Sequence, residues 1–102
     1  MAEKLSAAHL HTHLAMAPHW VHRGDLIERT FRFADFVASM QFVNALAGEA
    51  ERTQHHPDLL IKYNRVTVGY STHDADGLTE KDFAGARAAD GYAALSGADP
   101  GA

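Results

Sequence analysis

The stretch from Phe36 to Thr53 constrains the fold most, because it carries a helical pattern between a favourable start and a clear stop. Asp35 is a good helix N-cap, and Pro57 disfavours helical geometry at His56, so the helix should end near His55. Apolar residues recur at steps of three and four, at Phe36, Met40, Val43, Ala47 and Ala50. This spacing predicts a long helix with one side facing a core.

Strand-like segments flank this helix in two pairs. The pairs are Trp20 to His22 with Leu26 to Phe33, and Leu59 to Tyr63 with Val66 to Thr72. Turns are predicted at Arg23-Gly24-Asp25 and at Asn64-Arg65. In the second segment apolar and polar residues alternate except at Arg29, which indicates a sheet with one packed face. Strands joined by such short turns must be antiparallel.

Two further helices complete the pattern. Ser6 can cap a short first helix, and Thr79 with Asp82 has the spacing of a capping box that opens a last helix ending near Leu95. The predicted fold is an α+β two-layer domain in the order α-β-β-α-β-β-α. It has a four-stranded antiparallel sheet with three helices on one face. Residues 1–102 form a single domain, with flexible ends at 1–5 and 96–102.

Composition excludes several classes of function. The 102 residues are 46% hydrophobic and 22% charged, and the formal net charge of −4 argues against nucleic-acid binding. The absence of cysteine excludes disulfides and thiolate metal sites. No apolar run is long enough for a membrane span, and the N-terminus does not have the pattern of a signal peptide. A cytoplasmic protein without membrane association is expected.

Three histidines are the best candidates for chemistry. His55 and His56 fall at the end of the long helix, where its dipole favours a cation, and His73 follows Ser71-Thr72 at the end of a strand. Imidazole can both donate and accept a proton near neutral pH. Glu51, four residues before His55, could meet it on one helix face and orient it. Proton transfer on a small molecule is therefore the first hypothesis, although two histidines at a helix end are often only exposed capping residues.

Other readings of these residues remain open. Zinc bound by the three histidines would need neighbouring side chains that point about 100° apart to reach one ion, which argues against it. Asp82 fits a capping role at least as well as a catalytic one, and Trp20 fits the core better than a ligand platform. His9, His11 and His13 are interpreted as surface composition, because two histidines on one helix face do not make a metal site.

The chain resembles the pterin-4a-carbinolamine dehydratase family, which is also named for 4a-hydroxytetrahydrobiopterin. The resemblance rests on Glu51 before His55-His56-Pro57, on Tyr63-Asn64, on Ser71-Thr72-His73 and on Asp82. It extends to Trp20, Thr30 to Phe33, Asp35-Phe36 and Gly77-Leu78, and so covers nearly the whole chain. Taken together, these positions form a specific pattern.

The resemblance implies a hydro-lyase that dehydrates 4a-hydroxytetrahydropterin to quinonoid dihydropterin, with no cofactor and no metal. This step regenerates tetrahydrobiopterin after an aromatic amino acid hydroxylase has turned over. It further implies catalytic roles for His55, His56 and His73, with His55 and His73 as the acid–base pair and His56 mainly holding the pterin. Pro57, Thr72, Asp74 and Ala75 would contact substrate, and Glu51, Asp82 and Trp20 would support the site.

Two further expectations concern partners. A sheet with an open edge and an uncovered face suggests a homo-oligomer, either a dimer or a tetramer. The alternative to an enzyme is a non-catalytic dimerising adaptor or transcriptional coactivator on the same fold. A dehydratase assay separates these two classes.

Overall fold

The computed structural model describes residues 2–101, and its elements follow the predicted order. The helices are α1 (Ala7–Ala15), α2 (Phe36–Thr53) and α3 (Glu80–Leu95). The strands are β1 (Val21–Arg23), β2 (Leu26–Arg32), β3 (Asp58–Lys62) and β4 (Arg65–Tyr70), and a 3-10 helix, His73–Ala75, precedes α3. Within the described range, no helix is both long and apolar enough to cross a membrane.

The four strands form one antiparallel sheet in the order β1-β2-β4-β3. The predicted antiparallel pairing and the α+β architecture are confirmed. The central pair is β2 with β4, in which Ile27 lies opposite Tyr70. The end of β4 is thereby brought next to the start of β2, and the segments that carry the site residues leave the sheet there.

One face of the sheet packs against the helices. Its side chains alternate along the central strands as predicted and include Ile27, Phe31, Val66, Val68 and Tyr70, all of them at most 2% exposed. Arg29, which interrupts the pattern in the sequence, lies on this same face and is buried. Its guanidinium donates to Asp90 of α3 at 2.9 Å and lies 4.5 Å from the centre of the Phe31 ring. An ion pair with α3 therefore explains the charged residue on the packed face.

The buried side of α2 differs from the predicted one. Phe36 and Ala47 are exposed, whereas the buried residues are Ser39, Phe42, Val43, Leu46 and Ala50. The helix is rotated toward Phe42 and Leu46 because these large side chains remove more apolar surface from water than an alanine does. Phe42 packs on the Phe31 and Phe33 rings at 5.1 and 5.2 Å between centroids.

Local signals set the helix starts and one turn. The Ser6, Asp35 and Thr79 side chains all accept hydrogen bonds from the first turns of their helices, as predicted. The turn between β3 and β4 lies at Tyr63 and Asn64, one residue earlier than predicted. Tyr63 adopts a left-handed conformation with φ of 51°, and the Asn64 side chain donates to the carbonyl of Phe33. This side-chain bond ties the turn to the end of β2.

Candidate active site

The chain turns sharply after α2, and this turn sets the position of His55. Gln54 adopts a left-handed conformation with φ of 55°, so His55 lies beyond the helix end and its imidazole is directed toward α3. His55 Nε2 lies 2.7 Å from Oδ1 of Asp82, and the His55 side chain is 14% exposed. The expected pairing of His55 with Glu51 is wrong, because the left-handed residue removes His55 from the helical face that Glu51 occupies.

Asp82 is the polar centre of the site and is fully buried. Its Oδ1 contacts His55, and its Oδ2 accepts from the Thr72 hydroxyl at 2.8 Å and from the Thr79 amide at 2.9 Å. The last of these bonds belongs to the capping box of α3. The two readings of Asp82 in the sequence are therefore compatible, since one carboxylate caps the helix and contacts the histidine.

This arrangement fixes how His55 can exchange protons. An ionised carboxylate only accepts hydrogen bonds, so Nε2 of His55 carries the hydrogen that points at Asp82. The other ring nitrogen, Nδ1, has no hydrogen-bond partner among residues 2–101, and no buried side-chain nitrogen or oxygen there is without one. Nδ1 is therefore accessible from outside. A carboxylate-held imidazole with one open nitrogen is suited to general acid–base chemistry.

Tyr70 is a site residue that the sequence reasoning missed. Its ring stacks on the His55 imidazole, with 5.7 Å between centroids and 16° between planes. Burial, with smaller contributions from the Glu49 and Asp82 carboxylates, raises the pKa of the Tyr70 hydroxyl. The alternation in β4 placed Tyr70 on the same side as Thr72, so the pattern contained a signal for this position.

A pocket of about 100 Å³ opens beside this stacked pair, between α2 and α3. Its lining residues are Glu49, Ala50, Thr53, His55, Tyr70, Lys81, Ala84 and Gly85. Small residues on both helices create the space, while the histidine, the tyrosine and the two charged residues make part of its wall polar. The His55 imidazole therefore forms part of the wall of this pocket.

His73 is held differently from His55. It is exposed, begins the 3-10 helix, and its Nε2 lies 3.5 Å from the Ser71 hydroxyl, at the outer limit of a hydrogen bond. His73 borders a separate hollow of about 50 Å³ together with Asp25 and Gly77. The connection to His55 runs through the preceding residue, Thr72, which shares Asp82 with His55.

The remaining predicted site residues lie around this connection. His56 is exposed and its Nε2 contacts the exposed Glu51 carboxylate. Pro57 is half-buried, Asp74 is exposed, and Ala75 donates its amide to the carbonyl of Thr72. His56 lines neither of the two pockets at His55 and His73. A shared pocket for the three histidines therefore stays a prediction.

Trp20 contacts the site only indirectly. It is 5% exposed, its Nε1 donates to Asp90 at 3.0 Å, and its ring lies 6.0 Å from that of Tyr70. Of the N-terminal histidines, His13 is more than surface composition, since its ring stacks on Phe83 at 5.0 Å. Among residues 2–101, no three or more His, Asp or Glu side chains are grouped so that they could hold a metal ion.

Comparison with known proteins identifies a family. The model of a family described as pterin 4 alpha carbinolamine dehydratase matches residues 3–92. A relative from Thermosynechococcus vestitus is 52% identical over 83 residues, which cover 81% of this chain and 87% of the relative. One from Chloroflexus aggregans is 51% identical over 88 residues, covering 85% and 94%. Both carry the name "Putative pterin-4-alpha-carbinolamine dehydratase".

Two solved structures have a similar fold. The first, described as a transcriptional coactivator/pterin dehydratase from Brucella melitensis, has a TM-score of 0.84 and 33% identity, and the match covers 89% of this chain and 99% of that one. The second is a pterin dehydratase-like protein described as a RuBisCO assembly factor in the alpha-carboxysome. Its TM-score is 0.59 over 76% of this chain and 87% of that one, and its 23% identity supports the fold alone. By its family match and its relatives, the chain belongs to the pterin 4 alpha carbinolamine dehydratase family.

Proposed function

We propose that this protein is a lyase that dehydrates a 4a-hydroxytetrahydropterin to the quinonoid dihydropterin by histidine acid–base catalysis. The observation that carries the proposal is the His55 imidazole, held by the buried Asp82 carboxylate with its other nitrogen open. Family membership supplies the substrate class. The hydrogen-bonded histidine supplies a group able to move the protons that the reaction requires.

The reaction needs two proton transfers. An acid protonates the 4a-hydroxyl so that it leaves as water, and the neighbouring ring nitrogen supplies the electron pair that replaces the broken C–O bond. A base then removes the hydrogen from that nitrogen, which gives the neutral quinonoid product. The reaction is the loss of water and involves no net oxidation or reduction. Two positioned imidazoles can therefore carry out the proton transfers that it needs.

The geometry at His55 favours the role of base in this scheme. With Nε2–H donated to Asp82, a neutral His55 presents a lone pair at Nδ1 and the carboxylate stabilises the imidazolium that forms. His73, which is exposed and loosely held, is assigned the acid role. The Thr72–Asp82 bond couples the two segments that carry these histidines.

Binding of the pterin is assigned to neighbouring groups. His56 with Pro57 would hold the ring, and backbone groups of the segment from Thr72 to Ala75, including Asp74, would hydrogen-bond its polar edge. Glu51 supports His56 through their direct contact. The physiological setting proposed is tetrahydrobiopterin regeneration in the cytoplasm, functionally linked to an aromatic amino acid hydroxylase. No cofactor or metal is assigned to the reaction.

The deciding experiment is a spectroscopic dehydratase assay on the purified protein. The 4a-hydroxytetrahydropterin is generated in place by a hydroxylase, and its decay is followed with and without this protein. The proposal predicts a decay faster than in buffer, with a rate proportional to the protein concentration. A protein that is folded by circular dichroism and yet leaves the decay at its buffer rate contradicts the proposal.

A second candidate is a non-catalytic adaptor on the same fold. The exposed apolar side chain of Leu60 on the edge strand β3, 53% exposed, offers a contact for another protein. Two solved structures with this fold are described by roles other than dehydration alone, one as a transcriptional coactivator/pterin dehydratase and the other as a RuBisCO assembly factor. An adaptor would retain the fold and show no dehydratase rate.

A further inference from the structure

Tyr70 stacks on one face of the His55 ring. The proposed reaction gives Tyr70 no role so far. The two rings lie nearly parallel, at 16°, whereas Asp82 contacts the His55 imidazole at its edge. One contact at the edge and one on the face restrict different rotations of the ring. The hydrogen bond by itself leaves the imidazole free to tilt about the line from Nε2 to the carboxylate.

Tyr70 is itself fixed on several sides. It is 2% exposed, and the Trp20 ring lies 6.0 Å away at an angle of 46°. A Cβ built on Gly85 of α3 would lie 2.6 Å from two ring carbons of Tyr70, a separation that real side chains do not reach. The absence of a side chain at Gly85 is therefore what allows the tyrosine ring to occupy this place.

We propose that Tyr70 is a positioning residue for His55, acting through the face of the imidazole, and that Gly85 is the residue that makes room for it. This proposal rests on the proposed function, because it concerns how the same imidazole is oriented for proton transfer. The stack keeps the ring plane fixed while Asp82 fixes the tautomer, so Nδ1 points consistently toward the accessible side. Preorganised geometry of this kind lowers the cost of reaching the reactive arrangement.

The first test compares three variants. Tyr70→Leu removes the ring, Tyr70→Phe removes only the hydroxyl, and Tyr63→Leu makes the same tyrosine-to-leucine change at an exposed turn position that does not contact His55. Tyr70→Leu is expected to lower kcat by about tenfold, the scale of an aromatic pair, with KM unchanged. Tyr70→Phe and Tyr63→Leu should retain kcat. Equal losses in Tyr70→Phe and Tyr70→Leu would assign the effect to the hydroxyl and overturn the proposal.

The second test does not depend on activity. Nitrogen-15 NMR of the histidine rings reports which nitrogen of His55 carries the hydrogen, and wild type should show the Nε2–H form. In Tyr70→Leu the Nε2–H form should persist, because Asp82 still fixes the tautomer, but the His55 ring signals should broaden as the ring plane loses its fixed orientation. In Tyr70→Phe the His55 signals should match wild type. Folded Tyr70→Leu protein with wild-type His55 signals overturns the proposal. A wild type without dehydratase activity would overturn the proposed function while leaving this measurement decisive for Tyr70.

The third test disturbs the stack from the side of α3. Gly85→Ala places a methyl group against the Tyr70 ring and should disturb the His55 signals without changing either stacked residue. Adding Gly85→Ala to Tyr70→Leu should lower the free energy of unfolding less than adding it to wild type, because the Tyr70 ring no longer fills the space that the new methyl group needs. Additive losses in this double-mutant cycle would show that Gly85 and Tyr70 do not share the space. If Tyr70→Leu does not fold, unchanged His55 signals in Gly85→Ala overturn the proposal.

Discussion

Asp82 contacts both the first turn of α3 and the His55 imidazole, so a substitution there should affect stability and chemistry together. In Asp82→Asn the amide group cannot accept the hydrogen bonds that one carboxylate oxygen accepted. Leaving a buried donor without an acceptor costs about 1–3 kcal/mol in the free energy of unfolding. We expect that loss in urea denaturation, together with a lower dehydratase rate.

The matched control for this change is Glu51→Gln. Glu51 also contacts a histidine, but its side chain is 73% exposed. Exposed ion pairs contribute little to stability, so Glu51→Gln should change the free energy of unfolding of the protein by less than about 1 kcal/mol. A loss at Glu51 as large as that at Asp82 would contradict the importance assigned to burial.

The three histidines should differ in which kinetic constant they affect. Replacing His55 or His73 by alanine should lower kcat by roughly 10²–10⁴-fold, the usual contribution of general acid–base catalysis. Replacing His56 should chiefly raise KM, because loss of uniform binding leaves kcat unchanged. Steady-state kinetics of the three variants measure this, with wild type assayed with and without a chelator. A rate abolished by chelation, or an unchanged kcat in the His73 variant, would contradict the assignment.

At the scale of elements, the end of β4 should make the fold sensitive to alkali. The pKa of the Tyr70 hydroxyl is raised above its ordinary value of 10.0, so the folded state holds this proton more tightly than the unfolded chain. The resulting stabilisation is fully present below about pH 10 and is lost as the pH rises beyond it. Tyrosinate absorbance and circular dichroism, recorded together, should show Tyr70 ionising only as the protein unfolds. The Tyr70→Phe variant identifies its signal, and ionisation near pH 10 in folded protein would contradict the prediction.

The start of α2 offers a simpler test of local structure. The Asp35 carboxylate accepts from the Ala38 amide at 2.8 Å. Asp35→Ala should lower the free energy of unfolding by about 1 kcal/mol, the usual value of an N-cap. Asp35→Asn keeps an accepting oxygen and serves as the control, so denaturation curves that do not separate the two variants would argue against capping.

Local chemistry explains which elements were predictable from the sequence. Caps and stops act within a few residues, so the bounds of α2 and α3 could be predicted from Asp35, Thr79 and Pro57. The buried side of α2 could not be predicted, because apolar residues lie on more than one side of this helix. Which side faces the core depends on the space that the sheet and α3 leave for its side chains. The partner of His55 was mispredicted for a related reason. Asp82 is 27 residues away along the chain, and only the packing of α3 brings it near.

For the whole molecule, the prediction concerns assembly. The sheet ends in β3, where Leu59, Leu60 and Ile61 are 37%, 53% and 36% exposed. An apolar edge strand of this kind is normally covered, so a symmetric homo-oligomer, a dimer or tetramer, is expected. Sedimentation should give a mass well above 11.1 kDa at micromolar concentration. Leu60→Lys should lower that mass, whereas Lys62→Glu, also on β3, changes a charge without removing apolar surface. A monomer in wild type would contradict the prediction.

The close fit between Tyr70 and Gly85 also has an evolutionary consequence. A side chain at position 85 and an aromatic ring at position 70 compete for one volume, so neither position can change freely while the other is kept. Among relatives, a larger residue at the position of Gly85 should accompany a smaller one at that of Tyr70. Lineages that pass between these two combinations would have to cross an overfilled or an underfilled intermediate. The pair should therefore be inherited together.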